Sequence, residues 1–110
     1  MKNLNYHTDL QLVCLYKQTK KQTYFSQLHH RLYPKVYQQC LSIVGRKETA
    51  NEITASIFLH LSIIIPELGN EKIFFSYLID KVNQDCTQAL LLVRETKNIP
   101  LQRNYIVNSF

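Results

Sequence analysis

Apolar residues recur every three or four positions through most of this chain, and that period constrains the fold more than any other feature. Because a helix turns once in about 3.6 residues, such a stripe marks one face of an amphipathic helix. With only two glycines and three prolines in 110 residues, the chain has too few turn residues for an all-β fold. The sequence therefore predicts an all-α bundle of three or four helices. The most regular stripe consists of Phe75, Leu78, Ile79, Val82, Cys86, Ala89, Leu90 and Val93.

A short first helix is predicted at the N-terminal end. Thr8 followed three residues later by Gln11 is the pattern of a capping box, which begins a helix. The spacing of the next apolar residues predicts that this helix buries Leu10, Val13 and Cys14 and ends in the charged stretch 17–21.

A longer second helix is predicted to begin near Thr23. Pro34 lies inside it, and proline removes a backbone hydrogen bond, so a bend or a break is expected there. Gly45 is expected to end the helix. The predicted core stripe is Phe25, Leu28, Leu32, Val36, Cys40 and Ile43.

The third predicted helix has one strongly apolar face and a second face with little charge. Its buried side is predicted to consist of Ala50, Ile53, Ile57, Phe58 and Leu61. Pro66 should end it, and residues 66–71 read as a loop that leads into the last helix. The structured domain is thus predicted over residues 1–97, with residues 98–110 as a linker or C-terminal tail.

The last predicted helix carries two adjacent leucines outside its core stripe. Leu91 and Leu92 add apolar surface that is costly to leave in water. We expect either the tail residues Tyr105, Ile106, Val107 and Phe110 or a second chain to cover them.

Cysteine placement and hydropathy indicate the compartment. Cys14, Cys40 and Cys86 are far apart, form no CxxC pair and fall within apolar stripes, so free thiols are predicted. The longest apolar stretch is interrupted by His60 and Ser62 and is too short to span a bilayer. A cytoplasmic protein without a membrane partner is expected.

Charge is unevenly distributed along the chain. Residues 1–50 hold eight Lys and Arg against two acids, whereas residues 51–110 hold five against six. A basic N-terminal half favours an acidic partner, either nucleic acid or an acidic protein face, although a merely soluble surface explains the excess as well.

Residues that carry catalysis are not grouped in any familiar pattern. Glycine occurs only at Gly45 and Gly69, so no phosphate-cradling loop can form. His29 and His30 are adjacent and would point about 100° apart on a helix, which makes a poor metal chelate. The sequence therefore predicts no enzyme, no metal and no cofactor.

Two stretches together resemble region 2 of the extracytoplasmic-function sigma factors, the bacterial subunits that bring core RNA polymerase to promoters. The first is YFSQLHHRLYPKVYQQCLSIVGRKETANEITASIFLHLS, and the second is IFFSYLIDKVNQDCTQALL. The likeness extends over roughly residues 9–96. The residues in register with the family pattern are Phe25, Leu28, Arg31, Pro34, Gly45, Ala50, Phe58, Leu59, Leu61, Phe74, Tyr77 and Leu78.

This resemblance implies a binding site for core RNA polymerase on the third helix. In the family, the outer face of that helix docks on the coiled-coil clamp helices of the largest subunit. Carried over by position, that face consists of Asn51, Glu52, Ala55, Ser56 and Leu59. The resemblance also implies an anti-sigma factor as a further partner.

The same resemblance implies contacts with promoter DNA from the last helix and the loop before it. In the family this part reads the −10 element. The family's asparagine, aspartate and arginine are Gln84, Gln88 and Leu91 here, and segment 84–93 has no basic residue. Recognition of the −10 element is therefore expected to be weakened. The implied DNA-facing residues are Lys72, Phe74, Tyr77, Lys81, Gln84 and Gln88.

Two functions remain open from the sequence. The first is a sigma-like domain that acts in transcription initiation, and the second is a helical adaptor that binds a protein partner and no DNA. The family's helix-turn-helix domain has no counterpart here. Residues 98–110 stand where its linker would begin, which fits either a piece of a longer protein or a sigma-like domain on its own.

Overall fold

The computed structural model describes the backbone of residues 7–97 and the side chains of residues 7–92. Within this part the chain forms four helices, two short 3-10 turns and no strand, so the predicted all-α bundle is confirmed. The helices are α1 (Asp9–Thr19), α2 (Gln22–Val44), α3 (Lys47–Ile64) and α4 (Phe74–Lys97), and the turns are Ile65–Glu67 and Glu71–Ile73.

The helix α2 is the centre of the bundle, since α1, α3 and α4 all pack against it. All six residues of its predicted core stripe are buried, and its half-buried Tyr24, Tyr33 and Tyr37 flank that stripe. The apolar period of this helix thus gave its buried face correctly.

The course of α2 through Pro34 is continuous, so the chain does not break there. Pro34 and His30 are both exposed, and water can therefore bond the His30 carbonyl that proline leaves without a donor. The helix ends at Gly45 as predicted. Gly45 has a φ of 75° and donates its N–H to the Leu41 carbonyl at 2.8 Å, a left-handed cap that favours glycine.

The helix α1 begins at the predicted capping box but buries a different face. Gln11 N–H donates to Thr8 Oγ1 at 3.1 Å, and Thr8 N–H donates to Gln11 Oε1 at 2.7 Å. The buried residues are Leu12, Val13 and Tyr16, whereas the predicted Leu10 and Cys14 are half-buried.

The hydroxyl of Tyr16 explains this rotation of α1. It donates to the Ser62 carbonyl at 2.8 Å, and the Tyr16 ring packs on Phe25 with 5.2 Å between ring centroids. A buried tyrosine with a satisfied hydroxyl contributes more apolar area than Leu10 or Cys14.

The connection from α3 to α4 is short and partly helical. The helix α3 ends before Pro66, as predicted, and Ile65 and Leu68 are buried beneath the turn. The Asn70 side chain then accepts a bond from the Lys72 N–H at 2.8 Å, which begins the second turn. The predicted loop is thus more ordered than its sequence indicated.

The three cysteines are free thiols, as predicted. Cys40 on α2 and Cys86 on α4 are fully buried and hydrogen-bonded to one another, whereas Cys14 is half-buried. That hydrogen bond and burial raise the pKa of the Cys86 thiol. The pair therefore packs as small apolar groups between the two helices.

The stretch Lys47–Glu67 is long and apolar enough, by length and composition, to cross a membrane, with a mean hydropathy of 1.2. In the bundle one side of it lies in the core, where Ala50, Ile57 and Leu61 are buried. Core helices pass the same test, so the expected absence of a membrane partner stays a prediction.

Candidate functional site on α3

The side chains of α3 divide into a core face and an outer face. Four of the five residues predicted to be buried are buried, and Ile53 is half-buried. Thr54 joins the core because its hydroxyl donates to the Ala50 carbonyl at 2.7 Å, which satisfies its only polar group. The exposed residues of the outer face include Asn51, Glu52, Ala55, Ser56 and Leu59.

The outer face is apolar toward the C-terminal end of the helix. Leu59 is 69% exposed and Ile63, one turn later, is 64% exposed. Across residues 51–63, Glu52 is the only Asp, Glu, Lys or Arg. We name the exposed residues Asn51, Glu52, Ala55, Ser56, Leu59 and Ile63 the α3 face. Single exposed apolar residues are common on soluble proteins, but Leu59 and Ile63 lie four residues apart on one helix face and so form a small apolar patch.

The α3 face borders a groove between α2 and α3. Its volume is about 520 Å³. Ala55 and Leu59 belong both to the α3 face and to this groove. No Asp, Glu, Lys or Arg lines it. The lining residues are Gln22, Phe25, His29, Tyr33, Ala55, Phe58, Leu59 and Ser62.

Stacked rings form the wall of the groove on the α2 side. The His29 ring centroid lies 5.0 Å from that of Tyr33 and 4.8 Å from that of Phe58. Tyr33 also donates its hydroxyl to Asn51 Oδ1 at 2.7 Å. Asn51 therefore has a fixed orientation, and the ring cluster joins the core to the outer surface.

His29 is exposed and Tyr33 is half-buried, whereas the sequence analysis considered the histidine only as a poor metal ligand. It did not foresee that they stack into a groove wall. The spacing Phe25, His29, Tyr33 puts three rings one turn apart on the same helix face. That row of rings was the sequence signal from which an aromatic groove wall could have been predicted.

The residues proposed for DNA contact are not all at the surface. Lys72, Gln84 and Gln88 are exposed, while Lys81 is half-buried. Phe74 is fully buried at the start of α4 and packs on Phe75 with 5.1 Å between ring centroids. Phe74 is therefore a core residue and not a DNA contact, because the apolar period of α4 begins one residue earlier than predicted.

Tyr77, the residue proposed to stack a base, is already engaged. Its hydroxyl lies 2.5 Å from His60 Nε2, and the two rings are nearly parallel with centroids 6.0 Å apart. Tyr77 is half-buried. Tyr77 would stack a base only through the ring face turned away from His60, or after its ring separates from His60.

The two proposed sites meet in a second groove, between α3 and α4. Glu52 and Ser56 line one side, and Lys81 and Gln88 line the other, around a volume of about 360 Å³. Lys81 Nζ lies 3.5 Å from Asp85 Oδ1. This neighbour reduces the attraction of Lys81 for a phosphate.

Metal binding finds no support in the described residues, which contain no group of three His, Cys, Asp or Glu side chains able to hold an ion. His29 and His30 are both exposed.

No protein-family model, curated protein or solved structure matches this chain. The resemblance to sigma region 2 therefore rests on the residues in register.

Proposed function

We propose that this chain is a sigma-factor-like domain that binds core RNA polymerase in transcription initiation. In this proposal the α3 face docks on the clamp helices of the largest polymerase subunit. The main support for this proposal is that all five residues assigned by position to polymerase binding are exposed together beside an uncharged groove.

The shape and chemistry of this face suit a partner helix. A helix that packs on another helix is recognised by anchors three, four and seven residues apart. Ala55 and Leu59 have that spacing, and Ala55 lets a second helix approach closely. The adjoining aromatic groove gives an apolar side chain of the partner a place to insert.

Replacing Ala55 with Arg tests the docking surface. The long cation would stand where the two helices must approach, so binding to isolated clamp helices should fall at least tenfold while helicity is retained. Gln38→Arg is the matched control, since Gln38 is exposed on α2 and gains the same side chain. Affinity is measured by calorimetry and helicity by circular dichroism. Equal affinity of the Ala55→Arg variant and the parent would place the docking surface elsewhere.

A protein-binding adaptor without DNA contact is the second candidate. It is favoured by the proposed DNA surface of α4, where Phe74 is buried and Lys81 is paired with Asp85. The two candidates differ in what the chain adds to core RNA polymerase. A sigma-like domain should make the polymerase retain a promoter fragment melted at the −10 element, whereas an adaptor should bind the polymerase without that effect.

A further inference from the structure

The charge of the bundle is divided along the chain, between the part up to the start of α3 and the part that follows it. From Leu10 to Lys47 the chain has no Asp or Glu and seven Lys or Arg. Residues 48–97 carry seven acids against the four cations Lys72, Lys81, Arg94 and Lys97. The α1–α2 side of the molecule is therefore positive, and the α3–α4 side is negative.

Most cations of the positive side are exposed around α2. Lys20 and Lys21 precede the helix, Lys35 lies near its middle, and Arg46 and Lys47 follow it. Arg31 is different, because its Nη1 lies 3.0 Å from Asp9 Oδ1. At about 1.5 Å per residue, the 23 residues of α2 separate the two end pairs by roughly 34 Å.

Between these cations the outer surface of α2 is largely polar, and its further charge is Arg31, which is paired with Asp9. A shallow hollow of about 500 Å³ lies at its N-terminal end, close in sequence to Lys20 and Lys21. Amide, hydroxyl and imidazole groups of this kind donate hydrogen bonds to phosphate oxygens. The lining residues are Gln22, Thr23, Ser26, Gln27, His30 and Arg31.

We infer that the outer surface of α2, with the cations at its two ends, binds the phosphate backbone of duplex DNA. The exposed positions of α2 include no Leu, Ile, Val, Phe, Tyr or Trp. Stable protein interfaces and membrane-inserted helices are anchored by apolar or aromatic side chains, and single-stranded DNA is held by rings on which bases stack. Rows of duplex phosphates need only cations and donors.

This surface differs from the one that the sigma resemblance assigns to DNA. On α4, Lys81 is paired with Asp85 and Asp80 is exposed nearby. On α2 itself there is no acid, and the acids beside its surface are Asp9, which pairs with Arg31, and Glu48, which follows Lys47. The inference does not depend on polymerase binding, which uses the α3 face.

Fluorescence anisotropy of the full chain with labelled duplexes of about 20 bp tests this surface. Two duplexes of unrelated sequence should bind alike. Five phosphate contacts predict that log affinity falls with log salt with a slope of about −4.5, at 0.9 per contact. Two double variants each remove one pair of cations at an end of α2: Lys20→Gln with Lys21→Gln, and Arg46→Gln with Lys47→Gln. Each should reduce the magnitude of that slope by about 1.8 and weaken duplex binding at least tenfold at low salt.

Ser76→Glu with Thr87→Glu is the matched control, since it lowers the net charge by the same amount at exposed positions of α4 outside both proposed binding surfaces and should leave duplex affinity within twofold. Circular dichroism verifies that each variant is folded. A flat salt dependence, or an equal loss in the control, would overturn the inference. The inference would also be overturned if single-stranded DNA bound more tightly than the duplex. It would be overturned too if polyglutamate or phosphatidylserine vesicles, at matched charge, displaced the labelled duplex as well as unlabelled duplex does. Ala55→Arg should not alter duplex binding, so this result and the clamp-helix result can fail separately.

Discussion

At the scale of single residues, Phe58 connects the core to the candidate site. It is 3% exposed, yet its ring forms part of the groove wall with His29 and Tyr33. The next residue, Leu59, is 69% exposed on the α3 face. Neighbours in sequence thus have opposite roles, since one stabilises the fold and the other is available to a partner.

Truncating these two neighbours should separate stability from binding. Phe58→Ala removes a buried ring and should lower the free energy of unfolding by about 3–5 kcal/mol. Leu59→Ala should change it by less than about 0.5 kcal/mol, as for most exposed positions, while weakening clamp-helix binding. Urea unfolding measures the first effect and calorimetry the second. Similar loss of stability in both variants would contradict the assignment of the α3 face.

The buried thiol of Cys86 predicts a loss of stability at alkaline pH. An unfolded cysteine ionises near its ordinary pKa of 9.0, whereas the hydrogen bond to Cys40 and burial raise the pKa of Cys86 in the folded chain. Above pH 9.0 the unfolded state therefore binds fewer protons, and the free energy of unfolding falls as pH rises.

The slope of that fall is at most about 1.4 kcal/mol per pH unit for one group. Cys86→Ala lacks the group, so its stability should fall less steeply above pH 9.0 than that of the parent. Urea unfolding at a series of alkaline pH values compares the two chains. Parallel curves would show that the Cys86 thiol does not retain its proton.

At the scale of the helices, periodicity predicted the buried faces of α2 and α3 well. The apolar stripe of each of these helices is so regular that a single orientation about the helix axis buries the whole stripe. All six core positions predicted for α2 are buried. The short helix α1 was harder, because Leu10 and Leu12 are both apolar and the choice of face depends on the bond from Tyr16 to Ser62. A contact between residues that far apart leaves no local signal.

The candidate site was predictable in part for the same reason. The exposed face of α3 is the complement of its core stripe, so its residues followed from the period. The groove beside it depends on how α2 and α3 pack, and the stacking of His29 on Phe58 joins residues on different helices. The burial of Phe74 likewise depends on the turn Glu71–Ile73, which sets where α4 begins.

At the scale of the whole molecule, three surfaces with different chemistry surround one core. The α3 face is nearly uncharged, the outer surface of α2 is cationic, and the polar side of α4 carries Asp80 and Asp85. The first two surfaces adjoin at Gln22, which lines both the groove beside the α3 face and the hollow on α2, so a protein partner and a polyanion would approach the domain from neighbouring sides. The C-terminal end of α4 adds a fourth feature, since Leu92 there is 56% exposed and Leu91 is half-buried.

The covering of Leu91 and Leu92 is the last prediction, and it concerns residues 98–110, which lie outside the described part of the chain. A fully buried leucine is favoured over an exposed one by about 1.5–3 kcal/mol, so either this segment or a second copy should cover the pair. Ending the chain after Lys97 should lower the melting temperature if the segment covers them. If a second copy covers them, Leu92→Gln should shift the oligomeric state instead. Thermal unfolding and light scattering at matched concentrations distinguish these two cases. If the truncated chain and the Leu92→Gln variant both match the parent in both measurements, the prediction that the leucines are covered is wrong.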